Sequence, residues 1–565
     1  MKKGWIAILM LLMIIVVFAC AASADSWSDD DGTSYNFTVL DDGTACLTGY
    51  NPTNNEKTEI TLPDTVYDRD GNSYTVSKIG EELYLSGATV ITIPDTITLS
   101  ATEKYVNLGT VALEYRVSES HPTLTVIDGV LFNKEEKALI RYPAQKTDTE
   151  YDIPDGIEAV APFAFNKAEK LVTVSIPDSV IRVGCAPFCQ SGVQKLILSD
   201  NHPTLTLLDN ALLFSKPDKA FICALKNVTE CVIPEGVEVM YDYAFEHHRN
   251  IKTVHLPSTL AAIPDFAFAQ SSVKHIIIPE GIESIGEEAF SCNKLEELTL
   301  PNTLKYIGED AFYETTIPVL DVPGSVESIE EYAFSRCHFE QIILEEGVQA
   351  IGQYAFFMCD IKEITLPSSL KTIGEDLFYV CKDLETVTIF SRIDTLPNSM
   401  FIACSNLKKV ILPDTLESIG GSAFKSCTSL SDIVLPESLK IIGIGAFEEC
   451  VSLKDLTLPE GLETIESFAF MGCTGLTSLY IPESVTKVGF DVFDNTGDLV
   501  LIVHKNSAIH AACEENGWKY EFSEEDSKPK IDWLEPAPAT CPECGFELPE
   551  TEIRYNYCPI CGTKL

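Results

Sequence analysis

A phenylalanine recurs in this chain at intervals of 22 or 23 residues, and this period limits the possible fold more than any other feature. Around it the pattern L-x-x-L-x-L-P-x-x-L-x-x-I-G-x-x-A-F-x-x-C repeats with small variations. A unit of this size cannot bury its own apolar face and must stack on its neighbours, so the repeat predicts a solenoid. The regular phenylalanines are Phe245, Phe268, Phe290, Phe312, Phe334, Phe356, Phe378, Phe401, Phe424, Phe447, Phe470 and Phe493, preceded by Phe165 and Phe188.

The unit at residues 453–473 can be interpreted position by position. Its alternating apolar residues predict a short, half-buried β-strand, with Asp455 and Thr457 pointing outward. Pro459 is expected to end this strand because it has no N–H group for the ladder. Phe470 is expected to fill the interior, and strands of successive turns to pair in parallel in one long sheet, about 4.7–4.9 Å apart. The inward positions are Leu453, Leu456 and Leu458.

These motifs resemble the leucine-rich repeats of the BspA-like family of bacterial surface proteins. "IPEGIESIGEEAF" and "LPDTLESIGGSAFKSC" carry the family signature I-P-x-x-V/I-x-x-I-G-x-x-A-F, and the similarity covers about residues 35–522. The resemblance implies a β-rich, right-handed leucine-rich-repeat solenoid with one long parallel sheet. It also implies a longer insertion unit, present twice and beginning at His121 and His202. A closing helix from about Ser507 to Asn516 would cover the last open turn.

The N-terminus and the net charge indicate an exported protein. Lys2 and Lys3 precede an apolar run that is too short for a membrane span, and Ala22-Ser23-Ala24 forms a small-x-small cleavage site. Lipid attachment at Cys20 is the alternative. The formal charge of −45 argues against nucleic acid as a partner, because phosphates need Lys and Arg. We expect an extracellular monomer, either secreted or associated with the cell surface, without a transmembrane segment once the signal peptide is removed.

Two groups among the 19 cysteines have different predicted roles. The first group lies three residues after the repeat phenylalanine, which predicts a stacked column of small buried thiols. Disulfides or a metal along the column are the alternative, although parallel side chains suit a disulfide poorly. Cys292 is one residue out of phase with this group. The members of the column are Cys337, Cys359, Cys381, Cys404, Cys427, Cys450 and Cys473.

The second group lies in "CPECGFELPETEIRYNYCPICG" near the C-terminus. Two C-x2-C pairs are separated by thirteen residues, a spacing typical of a tetrahedral site for one structural Zn2+ ion. The segment resembles a zinc ribbon, and metal binding would supply its folding energy. Two disulfides in an exported tail are the alternative. The predicted ligands are Cys541, Cys544, Cys558 and Cys561.

These observations predict seven segments. They are a signal peptide at 1–24, an N-terminal cap with the first divergent repeats at 25–90, divergent repeats with the duplicated insertion at 91–244, regular repeats at 245–500, a C-terminal cap at 501–522, a linker at 523–540 and the zinc ribbon at 541–565.

No catalytic constellation is recognisable in the sequence. The nine histidines lack H-E-x-x-H spacing, and neither a G-x-S-x-G motif nor a P-loop occurs. Each histidine is interpreted as a satisfied surface or edge residue. We therefore expect that the protein is not an enzyme. The alternative is an active site in the long insertions, with His121 and His202 as the last candidates for catalytic residues.

The outward strand positions form a mildly apolar column that we interpret as a candidate binding strip on the concave face. High β-propensity explains the same residues without any ligand. The favoured function is a non-catalytic module that binds extracellular proteins or cell surfaces, and the family resemblance implies adhesion; an envelope-structural or assembly role without an external ligand is the alternative. The column is His255, Ile277, Thr299, Asp321, Ile343, Thr365, Thr388, Ile411, Val434, Thr457 and Tyr480.

Overall fold

A computed structural model describes residues 25–29, 31–52, 58–80, 83–85, 87–102, 108 and 111–523. The chain divides into two compact units, the first ending at Val228 and the second beginning at Thr229. Each unit is described by itself. The predicted signal peptide and zinc ribbon, and nearly all of the predicted linker, lie outside the described residues.

The N-terminal part of the first unit combines a mixed sheet with the first parallel turns. The mixed sheet has the order β1-β2-β3-β6-β5, and β4, β7 and β8 pair in parallel. Its buried face packs Phe37 and Leu47 into a core that continues into the following turns. The strands are β1 (Asp25–Ser28), β2 (Ser34–Val39), β3 (Ala45–Asn51), β4 (Glu59–Thr61), β5 (Thr65–Tyr67), β6 (Ser73–Ile79), β7 (Val90–Thr92) and β8 (Glu114–Arg116).

The duplicated insertion predicted from the sequence is present as two similar groups of antiparallel strands. Each contains three consecutive strands, with a register shift after Leu131 in the first and after Leu213 in the second. Between the two copies, β12, β14 and β16 pair in parallel. The strands are β9 (Leu124–Ile127), β10 (Val130–Asn133), β11 (Ala138–Arg141), β12 (Glu150–Asp152), β13 (Ala159–Val160), β14 (Thr173–Ser175), β15 (Arg182–Val183), β16 (Lys195–Ile197), β17 (Leu205–Leu208), β18 (Leu212–Ser215) and β19 (Ala220–Ala224).

The second unit contains two kinds of short strand in most turns. The front strands come from the L-x-L segments. Each return strand consists of the isoleucine of the I-G pair, or its equivalent, and the residue before it. The front strands are β20 (Glu230–Val232), β22 (Thr253–His255), β24 (His275–Ile277), β26 (Glu297–Thr299), β28 (Val319–Val322), β30 (Gln341–Leu344), β32 (Glu363–Leu366), β34 (Thr386–Ile389), β36 (Lys409–Ile411), β38 (Asp432–Ile433), β41 (Ser478–Tyr480) and β43 (Val500–Val503).

From Ala262 onward, the return strands form parallel ladders of their own. Such a ladder needs close contact between turns, and a Cβ atom on Gly308 would lie 2.7 Å from the carbonyl carbon of Gly286, one turn earlier. The strands are β21 (Val239–Met240), β23 (Ala262–Ile263), β25 (Ser284–Ile285), β27 (Tyr306–Ile307), β29 (Ser328–Ile329), β31 (Ala350–Ile351), β33 (Thr372–Ile373), β35 (Thr395–Leu396), β37 (Ser418–Ile419), β39 (Ile441–Ile442), β40 (Thr464–Ile465) and β42 (Lys487–Val488).

The front strands form several short parallel sheets instead of the single long sheet predicted from the sequence. One interruption falls between β26 and β28, where Pro318 directly precedes β28 and offers no N–H group to the preceding turn. A second correction concerns the unit used as the template above. Its Leu456 and Leu458 are buried and its Thr457 is exposed, as predicted, but the segment is not a β-strand.

The repeat phenylalanines of the second unit form one continuous buried stack. Neighbouring rings from Phe245 to Phe493 have centroids 5.0–5.6 Å apart and lie within 16° of parallel. All of these rings are fully or almost fully buried. The centroid spacing is typical of favourable ring contacts. The predicted shared interior is confirmed for this unit.

The cysteine column is buried, as predicted, and it has a role that the sequence analysis did not foresee. Each thiol donates a hydrogen bond of 2.9–3.1 Å to the carbonyl oxygen of a phenylalanine one turn earlier. In the two turns before Cys337, Asn293 and Thr315 donate the equivalent bonds to Phe268 and Phe290. The out-of-phase Cys292 is exposed. The column therefore satisfies a row of buried carbonyl groups.

The described chain ends in a cap that contains the predicted helix. Helix α1 (Ala508–Asn516) begins after Ser507, whose side chain accepts the His510 N–H, and ends at Gly517 with φ 73°. Strand β44 (Tyr520–Phe522) pairs with β43. The Trp518 ring meets the last stacked ring, Phe493, edge-on at 5.2 Å. No helix among the described residues combines the length and apolar character that crossing a membrane requires.

Candidate binding groove on the front strands

The column of outward residues predicted as a binding strip is present, but its members differ in exposure. Ile277 is 60% exposed, and Ile343 is 42% exposed. Ile411, which was also predicted to be an outward residue of the strip, is only 8% exposed. It lies at the same register position as Thr388, so its side chain points to the same side of the sheet and its low exposure does not come from a reversed strand.

The C-terminal part of the column does not form the open strip of strand residues that the sequence had predicted. Val434 lies just beyond β38 and is partly buried, and Thr457 is exposed on a segment that is not a strand. The Tyr480 hydroxyl lies 2.9 Å from His504 Nε2, and the two rings meet edge-on. Tyr480 is therefore part of the C-terminal closure of the repeats.

Four members of the predicted column line one groove across the strands from β30 to β36. Ile343, Thr365, Thr388 and Ile411 face a volume of about 930 Å3. Thr365, Thr388 and Ile411 are in direct register on adjacent strands. Their side chains therefore point to the same side of the sheet. Neighbouring strands lie about 4.7–4.9 Å apart, so four strands span roughly 14 Å.

Charged residues of both signs border the groove, and the sequence analysis did not single them out. Glu340, Lys362, Glu385 and Lys408 occupy the position just before successive front strands, so that the sign alternates from turn to turn. Three of them line the groove, together with Glu363 and Lys409. This alternation at a spacing of 22 or 23 residues was visible in the sequence and could have identified this border.

Ion pairs hold part of this border in place. Lys408 Nζ lies 2.6 Å from Glu385 Oε2, and this hydrogen bond holds the pKa of the Glu385 carboxyl below its ordinary value. Lys409 Nζ lies 3.3 Å from Asp432 Oδ2. Exposed pairs of this kind add little to stability. Their main effect is to fix where positive and negative charge lies along this border.

The histidines considered as catalytic candidates have a different role. His121 and His202 are buried, which corrects the prediction that they lie at the surface or at an edge. In both, Nε2 lies 3.1 Å from a proline carbonyl oxygen and Nδ1 accepts main-chain N–H groups two and three residues later. Both ring nitrogens are thus engaged by the backbone, and neither is presented to a substrate. Each histidine holds a turn in its copy of the insertion.

No cluster of three or more His, Cys, Asp or Glu side chains within the described ranges could hold a metal ion. The four predicted zinc ligands, Cys541, Cys544, Cys558 and Cys561, lie outside those ranges.

The solved structures that the chain resembles include leucine-rich repeat proteins of bacteria. A leucine-rich repeat protein from Bacteroides ovatus is 21% identical, covering 88% of this chain and 100% of its own, with a TM-score of 0.38. A leucine rich cell surface protein from Faecalibacterium prausnitzii is 20% identical, covering 90% and 97%, with a TM-score of 0.28. The pneumococcal vaccine antigen PcpA is 16% identical, covering 75% and 94%, with a TM-score of 0.25. No curated protein matches the chain.

A family model provides the assignment. The model of the BspA type leucine rich repeat region matches residues 144–211, 216–339, 327–440 and 394–513, which together make up more than half of the chain. These ranges contain all twelve stacked phenylalanines and the whole groove. The chain belongs to the BspA-type leucine-rich repeat family.

Proposed function

We propose that this protein is a non-catalytic binding protein that holds an extended segment of a partner protein in the groove on strands β30 to β36. The observation that carries the proposal is the convergence of Ile343, Thr365, Thr388 and Ile411 on one groove of about 930 Å3. A volume of this size lies within the range of ordinary ligand-binding clefts. Fold alone does not determine function, so the proposal depends on the groove.

The chemistry of the groove defines the kind of segment it accepts. Ile343 and Ile411 offer apolar contact near the two ends, and the three threonines of the groove (Thr365, Thr386 and Thr388) offer hydroxyl groups between them. A polypeptide that crosses the groove in an extended conformation rises about 3.3 Å per residue, so that four or five residues span roughly 14 Å. Apolar side chains facing the groove, with both charges at its border, would match this surface.

We further propose that the partner is extracellular and that the protein acts in adhesion at a cell surface. The apolar N-terminal segment with its Ala22-Ser23-Ala24 cleavage site supports export. The net charge of −45 disfavours nucleic acid and anionic membrane surfaces. Among the similar structures, one is described as a cell surface protein and another as a vaccine antigen. The four C-terminal cysteines are proposed to hold one structural zinc ion.

The test uses the mature chain, residues 25–565, immobilised and exposed to purified extracellular matrix proteins and to whole cells. Ile343→Asp places a charge in the groove and is expected to weaken partner binding at least tenfold. Ile444→Asp is the matched control, because Ile444 is 54% exposed and does not line the groove. Ile277→Asp changes the same column outside the groove and is expected to leave binding within twofold.

Two results would overturn the proposal. One is an absence of saturable binding to any extracellular protein or cell, combined with tight retention of the protein by the cell that produces it; this result would favour the envelope-structural alternative. The other is equal weakening by Ile343→Asp and Ile444→Asp, since it would place the binding surface elsewhere.

A further inference from the structure

A small aromatic pocket in the N-terminal sheet of the first unit has no role in the binding groove. It has a volume of about 300 Å3 and opens to solvent between β1, β2 and the turn that follows β4. Such a volume lies at the lower limit for ligand pockets and suits a single side chain or a small molecule. Its lining consists of Trp27, Asp29, Tyr35, Thr61, Leu62, Pro63, Asp64 and Pro94.

One wall of the pocket is built from paired aromatic rings. Trp27 on β1 lies directly opposite Tyr35 on β2, and their ring centroids are 6.0 Å apart with an angle of 22°. Tyr67 lies 6.2 Å from Trp27 on another side. Tyr35 is 2% exposed, whereas the Trp27 ring is only partly buried and remains accessible. Cross-strand pairing of this kind fixes the position of the indole ring.

Two carboxylates accompany these rings. Asp29 directly follows β1, and its Oδ1 atom accepts the main-chain N–H groups of Asp31 and Thr33, which fixes the carboxylate in the turn. Asp64 follows Pro63 and is exposed. Its side chain makes no hydrogen bond or ion pair with any residue that the structure describes. Burial, followed by the charge of Asp29, raises the pKa of Tyr35, so this phenol stays neutral at physiological pH.

We propose that this pocket binds an alkylammonium or guanidinium group. The face of an indole ring attracts a cation through its quadrupole, and an adjacent carboxylate provides a charge-assisted hydrogen bond. An anion in the pocket would be repelled by Asp29 and Asp64. The chain as a whole, with its net charge of −45, attracts cations. The cation comes either from a lysine or arginine side chain of a protein or from a free small amine, since both present the same chemistry.

The experiment titrates the mature chain with four probes and follows binding by calorimetry. Nα-acetyl-lysine methylamide and Nα-acetyl-arginine methylamide are expected to bind saturably, and Nα-acetyl-norleucine methylamide, which lacks the charge, is expected to bind at least tenfold more weakly. Methylammonium separates the two sources. Affinity equal to that of the lysine probe indicates a free amine, and much weaker binding indicates a side chain of a protein.

Matched variants assign the binding to the pocket. Asp64→Asn is expected to weaken the lysine probe about tenfold, and Trp27→Leu to abolish its binding. Asp414→Asn is the control, because Asp414 is exposed in the same local sequence, L-P-D-T, far along the chain. Asp64→Asn keeps the test valid if Trp27→Leu fails to fold. Absence of saturable binding, equal binding of the norleucine probe, or equal effects of Asp64→Asn and Asp414→Asn would overturn the proposal.

Discussion

The Sγ atom of Cys381 donates a hydrogen bond to the main-chain carbonyl oxygen of Phe356, 2.9 Å away and 25 residues earlier. Burial raises the pKa of the Cys381 thiol to about 12, so the thiol keeps the proton it donates. The same relationship links each column cysteine to a phenylalanine of the buried stack. The phenylalanine stack and the cysteine column therefore both join neighbouring turns through the interior.

Replacing Cys381 by alanine is expected to destabilise the protein, because the buried carbonyl group of Phe356 loses its donor. The free energy of unfolding should fall by about 1–3 kcal/mol. Cys381→Thr keeps a donor and should lose less than half as much, since Thr315 already occupies the equivalent position of its own turn. Urea unfolding followed by circular dichroism measures both variants, and equal losses would contradict a hydrogen-bonding role.

His121 should make the protein sensitive to acid. Burial is the main cause that lowers the pKa of His121 below its ordinary value, and protonation of Nδ1 would place a proton against the N–H groups of Thr123 and Leu124. The groups that act on the ring are the Pro94 carbonyl, Asp95 and Lys134.

Because the folded pKa lies below the unfolded value of about 6.5, this contribution to stability is present above pH 6.5 and is lost as the pH falls below it. We expect His121→Asn to be less stable than the parent at pH 7.5, with a smaller difference at pH 5. His255→Asn is the control, because its side chain is 54% exposed. Thermal unfolding at the two pH values checks this, and a difference independent of pH would contradict it.

Asp310 should make the protein less stable as the pH rises, the opposite of the effect expected for His121. Burial, followed by the nearby charges of Glu288 and Glu309, raises the pKa of its carboxyl to about 7. The folded pKa lies above the unfolded value, so the stability linked to this group is complete below about pH 4 and is lost as the pH rises through 7.

Asp310→Asn is therefore expected to raise the melting temperature at pH 8 and to leave it unchanged at pH 4. Asp321→Asn, on the exposed front face, is expected to change little at either pH. A lower melting temperature for Asp310→Asn at pH 8 would show that this carboxylate stabilises the fold.

Metal analysis tests the proposed zinc site. The mature chain is expected to contain one zinc ion per molecule, and Cys558→Ser should lose it because a tetrahedral site needs all four ligands. Cys292→Ser, which changes an exposed thiol of the repeats, should retain the metal. A metal-free parent chain in which these cysteines form disulfides would support the alternative.

The sequence was sufficient to predict the solenoid, because every turn repeats the same apolar positions and Phe245 to Phe493 recur at a nearly constant interval. It was not sufficient to predict the single long sheet, since pairing depends on individual residues such as Pro318. The burial of His121 was also missed. A histidine whose two nitrogens are satisfied by the backbone has no signature beyond its repetition at His202.

The candidate groove was predicted in part. Alternation within each strand identified Ile343, Thr365 and Thr388 as outward residues. It could not show that four turns of the column form a groove, or that Ile411 is nearly buried within it. Those features depend on how neighbouring side chains meet across turns, which a pattern within one turn does not encode.

Site-specific photo-crosslinking shows whether the proposed partner contacts the groove. A photoreactive amino acid at Thr388, inside the groove, is compared with one at Ile444 outside it, in the mature chain bound to its extracellular partner. We expect a crosslink from position 388 that excess unlabelled chain removes and excess Ile343→Asp chain does not. Equal crosslinking from position 444, or competition by both chains alike, would contradict it.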